Sequence, residues 1–120
     1  MDERSVKGHR LLIVEDEYLL ADELSRELTR AGAEIVSMVG TCEEALAVLD
    51  AESHIDGAIL DINLAGEYAY PVADRLMEMQ IPFLFATGFD ATSIPDRFAD
   101  ITRCEKPIDV AKVIQAIGRV

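Results

Sequence analysis

Five short apolar runs recur along the chain, and a helical pattern follows each of them. The runs are RLLIV from Arg10, EIVSMVG from Glu34, DGAILDINL from Asp56, IPFLFAT from Ile81 and ITRCEKP from Ile101. Continuous apolar stretches of this length suit strands covered on both faces. After the first run, Leu20, Leu24, Leu28 and Ala31 lie four, four and three apart, and Gly32 follows as a stop, which predicts an amphipathic helix from Tyr18 to Ala31. In TCEEALAVLDAE, Thr41 stands three residues before Glu44, the spacing of a capping box, so a second helix is expected to begin near Cys42. YPVADRLMEMQ reads as a third helix, SIPDRFAD as a short one interrupted by Pro95, and DVAKVIQAIGRV as a last helix with Val110, Val113, Ile114 and Ile117 on one face.

Strand and helix alternating in this way, with no repeat and no linker, predict an α/β fold: a doubly wound, five-stranded parallel sheet with helices on both faces. The simplest candidate is the flavodoxin-like (βα)5 arrangement with strand order 2-1-3-4-5. At 120 residues the chain is expected to be one domain spanning 1–120, with no output domain attached.

Composition excludes several roles. The formal charge of −12 repels nucleic acid phosphates and anionic lipid, so direct nucleic acid or membrane binding is not expected. No apolar run approaches the roughly 20 residues of a membrane span, and MDERSVKGHR has no signal-peptide core, so a cytoplasmic location is expected. Cys42 and Cys104 are far apart and read as reduced core residues, while His9 and His54 form no ligand cluster.

In a doubly wound sheet the functional crevice lies beyond the carboxyl ends of the strands, where strand order reverses. The first strand delivers Glu15 and Asp16 there, the third Asp61, the fourth Thr87 and the fifth Lys106. Crowded carboxylates repel one another unless a hard divalent cation such as Mg²⁺ takes their oxygens as ligands. Glu17 is read as a helix-start residue favoured by the macrodipole. Asp61 near such an ion could act as a nucleophile toward a phosphoryl group, with Lys106 and the Thr87 hydroxyl contacting the phosphoryl oxygens and Gly88 allowing close backbone approach. Each residue alone is commonplace. Their arrival at the ends of different strands is what points to chemistry.

With these residues the sequence resembles the receiver domain of two-component response regulators over essentially its whole length. The resemblance makes Asp61 the phosphoacceptor and Asp16 a direct Mg²⁺ ligand. It has Glu15 acting mainly through bound water and Asn63 offering its backbone carbonyl to the metal. Thr87 and Lys106, the latter followed by Pro107, match the family's switch hydroxyl and phosphate-contacting lysine. It implies a phosphoacceptor signalling protein, not an enzyme acting on a separate substrate. Its partners would be a sensor histidine kinase and a downstream target or phosphotransfer protein. PFLFATGFD, together with DINLAGEYAYPVADRL, resembles more narrowly the FATGUY class of receivers, often stand-alone proteins working with HWE-type kinases, although Phe89 and Asp90 depart from that motif's ending.

Where most receivers carry an aromatic switch residue, three positions before the lysine, this chain has Arg103. The expected response is therefore an ordering of the Gly88 to Asp100 loop. Asn63 and Phe89 hold the two positions that tune acyl phosphate lifetime in the family, and Tyr68 and Tyr70 are expected to pack over the third helix. Three alternatives are a fragment of a larger regulator or hybrid kinase, a pseudo-receiver, and a small Mg²⁺-dependent phosphohydrolase. The last is disfavoured because Asn63 stands where that chemistry wants a second Asp.

Overall fold

The computed structural model describes residues 4–88 and 93–119. Phe89, Asp90 and the 89–92 part of the expected switch loop lie outside them. The main sheet contains β1 (Arg10–Val14), β2 (Glu34–Val39), β3 (Gly57–Asp61), β6 (Phe83–Thr87) and β7 (Arg103–Glu105), all parallel, in the order β2-β1-β3-β6-β7. Strands β4 (Asn63–Leu64) and β5 (Glu67–Tyr68) form a separate antiparallel hairpin. Counting only the strands of the main sheet, the order is 2-1-3-4-5, as the alternation predicts.

Both sheet faces are buried because successive side chains point to opposite sides. Leu12, Val14, Ala58, Leu60, Phe83 and Phe85 belong to one core with residues of α2 (Cys42–Ala51) and α3 (Tyr70–Glu78). Leu11, Ile13, Ile59 and Leu84 belong to the other, with α1 (Tyr18–Arg30) and α4 (Val110–Ile117). Among the described residues, two helices thus cover each face. Among the described residues, no helix is long and apolar enough to cross a membrane, and both cysteines are free, Cys42 buried and Cys104 half-buried.

The helix ends follow from local sequence. Gly32 adopts φ +97, its N–H bonds the Thr29 carbonyl at 3.0 Å and the Ala33 N–H bonds Leu28 at 3.0 Å, closing α1 with a Schellman motif. Thr41 caps α2, its hydroxyl oxygen accepting from the Glu44 N–H at 3.1 Å. Asp109 does the same for α4, accepting from Lys112 N–H at 2.9 Å.

Two features depart from the sequence reading. The buried stripe of α1 is Ala21, Leu24 and Leu28, with Leu20 only half-buried. SIPDRFAD contains only a 3-10 turn, Asp96–Phe98, because Pro95 cannot continue a hydrogen-bonded helix. The third strand ends at Asp61 as expected, and beyond it the chain turns back after Asn63 and Leu64 through Ala65 (φ 53) and Gly66 (φ 93). Two consecutive left-handed residues are what a two-residue hairpin turn requires, and the Asn63 side chain reinforces it by accepting the Gly66 N–H at 2.7 Å.

Candidate functional site

Parallel register brings the strand ends to one level. Val14 lies opposite Leu60, Asp61 opposite Ala86, and Thr87 opposite Glu105. Glu15 therefore follows β1 beside Asp61, and Lys106 follows β7 one step beyond Thr87. The chain reverses direction of winding between β1 and β3, and the crevice opens there.

Carboxylate oxygens of Glu15, Asp16 and Asp61 lie within 4.8 Å of one another. Lys106 reaches across from β7, its Nζ 2.8 Å from Asp61 Oδ2 and 2.9 Å from Glu15 Oε2. The Lys106–Pro107 peptide is cis. Asp61 and Glu15 are nearly closed off, with side chains 6% and 9% exposed, whereas Asp16 faces solvent.

One ammonium shared by two closed-off carboxylates does not balance them. Burial pushes the Glu15 carboxyl from its ordinary 4.5 up to about 7, against the hydrogen bonds from Lys106 and the Glu17 N–H and with added repulsion from Asp61. Burial also raises Asp61, against Lys106. For Lys106 burial works the other way, yet the two carboxylates outweigh it and hold the ammonium above its usual pKa. The same contacts thus favour the cation and fail to compensate the anions. With three carboxylates and one ammonium, the formal charge is about −2, the charge a divalent cation supplies, and an all-oxygen donor set is the chemistry Mg²⁺ prefers.

This arrangement has a consequence for stability in the absence of divalent cations. An acid whose folded pKa lies above its unfolded value binds its proton more tightly when folded, so stability falls as pH rises through the folded pKa. For Glu15 that window runs from 4.5 to about 7. Urea denaturation in EDTA is expected to give a stability about 2 kcal/mol higher at pH 5.5 than at pH 8. A flat or opposite trend would mean that Lys106 fully compensates the carboxylates.

Thr87 and Asn63 bond to protein neighbours at the site. The Thr87 hydroxyl donates to the Cys104 carbonyl at 3.4 Å, turned toward β7. Asn63 contributes its N–H, which donates to Asp61 Oδ1 at 3.3 Å. Glu17 was read only as a helix-start residue. It precedes α1 without capping it through its side chain, and its carboxylate approaches Lys106 Nζ at 3.7 Å. Nothing in the local sequence signals that contact, which joins opposite ends of the chain. Gly88 is exposed, and Arg103 is an exposed residue of β7. Tyr70 is half-buried against Phe98 with Tyr68 stacked on its other side, so the pair covers the 3-10 segment.

No protein-family model matches the chain. Among solved structures it resembles SdrG from Sphingomonas melonis, with 39% identity and a TM-score of 0.78, covering 93% of this chain and 94% of that one. It also resembles a response regulator receiver protein from Sinorhizobium medicae, with 26% identity, a TM-score of 0.74 and 94% of each chain covered. The sensory transduction protein LytT of Bacillus subtilis is 31% identical over 115 residues, which are 92% of this chain and 47% of LytT. The chain spans about half the length of the LytT relatives it matches. The likeness to SdrG and to the Sinorhizobium medicae receiver runs nearly end to end in both chains, and that to LytT covers nearly all of this one: the chain belongs to the receiver domains of two-component response regulators.

Proposed function

We propose that Asp61 accepts a phosphoryl group from a phosphohistidine of a sensor histidine kinase. The observation that carries this reading is the Asp61 carboxylate itself, buried at the switch point of the sheet with Lys106 on one oxygen and the long Asn63 N–H bond on the other. In the transfer, a carboxylate oxygen forms a bond to phosphorus as the P–N bond of the donor breaks, and the electron pair stays on the imidazole nitrogen. Glu15, Asp16, Asp61 and the Asn63 carbonyl would hold Mg²⁺, whose charge would offset the carboxylates and the phosphoryl oxygens. Lys106 places its ammonium on Asp61 before transfer and beside the new phosphoryl oxygens after it. Thr87 needs only a rotation about its side-chain bond to exchange the Cys104 carbonyl for a phosphoryl oxygen.

The module spanning 1–120 would then signal by protein contact or pass the phosphoryl group on as a shuttle or sink. A stand-alone receiver of the FATGUY class, served by an HWE-type kinase, is favoured by FATG at residues 85–88 and by the likeness to SdrG along nearly all of both chains. The greater length of the LytT relatives favours instead a receiver within a larger regulator. Incubation with acetyl phosphate and Mg²⁺ tests the chemistry: intact mass should show one added phosphoryl group, absent in EDTA and removed by hydroxylamine. An adduct that resists hydroxylamine, or no adduct together with no phosphate release, would sink the reading.

A further inference from the structure

The hairpin that follows Asp61 joins the acceptor to a run of aromatic rings. Asn63, whose N–H donates to Asp61 Oδ1, pairs directly with Tyr68 across the hairpin. The Tyr68 ring, half exposed, lies flat on Tyr70 with centroids 5.2 Å apart and planes at 6°. Tyr70 stacks on Phe98 at 5.6 Å and 26°, and Phe98 meets Phe85 of the central sheet edge-on at 5.6 Å and 79°. Rings therefore run without a break from beside the acceptor into the 3-10 turn and the core. The edge strand β7 is built of Arg103, Cys104 and Glu105 and supplies no ring.

We propose that the Asn63–Tyr68 hairpin and the Tyr68–Tyr70–Phe98 stack form the switch that reports the state of Asp61 to the 95–101 segment. This rests on the reading of Asp61 as the acceptor. A phosphoryl group on Asp61 removes the charge from the carboxylate and places strongly accepting oxygens farther out, so the long Asn63 hydrogen bond is the one most readily exchanged. The hairpin is only two residue pairs long, and its turn is tied internally by Asn63 to Gly66. It moves as a unit, and Tyr68 moves with it.

Among the described residues, Ile94 and Ile101 pack half-buried on the core at either end of the receiving element. Phe98 anchors it in full burial, and Arg97 lies over the Phe98 ring at 4.4 Å while pairing with Asp74 of α3 at 2.8 Å. That ion pair is half exposed on both sides, so it adds little of its own. A ring contact contributes about 0.5–1.5 kcal/mol, enough to shift the docking equilibrium of a short segment and too little to unfold the domain.

Beryllium fluoride with Mg²⁺, used as the phosphoryl mimic on the full chain, tests the switch. Fluorine NMR reports whether the mimic is bound, and amide exchange at Ile101, whose N–H bonds the Phe98 carbonyl at 3.0 Å, reports the segment. In the wild type, binding should change the Ile101 exchange rate by about fivefold or more. Tyr68→Ala should bind the mimic and lose most of that change, as should Tyr68→Leu, which keeps bulk without an aromatic face. Tyr68→Phe, which keeps the ring, should respond as the wild type does. Bound mimic with a wild-type response in Tyr68→Ala, or no Ile101 response in the wild type, would overturn the switch alone. Failure of the wild type to bind the mimic would overturn the acceptor reading and the switch with it.

Discussion

Asp61→Asn is expected to gain no mass from acetyl phosphate and Mg²⁺ under conditions that label the wild type, and in EDTA at neutral pH to unfold at a higher urea concentration. The first effect is loss of the nucleophile, since an amide oxygen cannot form the acyl phosphate. The second follows from the direction in which the Asp61 pKa moves. Burial raises it despite Lys106, so the ionised carboxylate is less favourable in the folded than in the unfolded chain, and a neutral residue of the same shape removes that penalty. Lys106 keeps Glu15 at 2.9 Å, so the substitution does not strand a buried ammonium. The stability gain should shrink as pH falls and the wild-type carboxyl takes up its proton. Labelling that persists in the variant would place the acceptor elsewhere, and a lower urea midpoint would mean that attraction to Lys106 outweighs burial and repulsion.

How far the sequence could be read depended on whether the deciding interaction was local. Strand and helix alternation is local patterning, and it led to the sheet order because parallel strands with short connections wind in few ways. The positions of Glu15, Asp61, Thr87 and Lys106 followed, since each is defined only by where an apolar run stops. Gly32 and the Thr41–Glu44 pair marked helix ends by backbone chemistry written in neighbouring residues. The hairpin after Asp61 was harder. Gly66 is an ordinary turn signal, but the residue before it in the left-handed region is Ala65, which gives no such signal.

Tertiary choices were not legible at all. Leu20 is more apolar than Ala21, yet Ala21 is the one buried in the core between α1 and the sheet. Glu17 meets Lys106 only after five strands have been laid side by side. The direction of the Thr87 hydroxyl is a rotamer decided by the Cys104 carbonyl on the neighbouring strand. In each case the residue was visible and its partner was not.

Phe98 is the strongest example, and it carries the largest expected effect on stability. Its segment reads as a short helix broken by Pro95, with little to suggest that the ring within it is among the largest fully buried side chains of the molecule. Phe98→Ala is expected to cost about 3–5 kcal/mol in urea denaturation. Collapse around the missing ring is restricted on two sides, because Phe85 is fixed in a central strand and Tyr70 opens α3. Only the 95–101 stretch could move in, and it is tethered where the Phe85 N–H bonds the Thr102 carbonyl at 2.9 Å. The size of the loss therefore reports cooperativity as well as packing. A loss in the expected range would mean that the segment unfolds together with the sheet. A loss below about 1 kcal/mol would mean that it opens on its own before the core does, and that Phe98 does not bind it to the core in the way its burial implies.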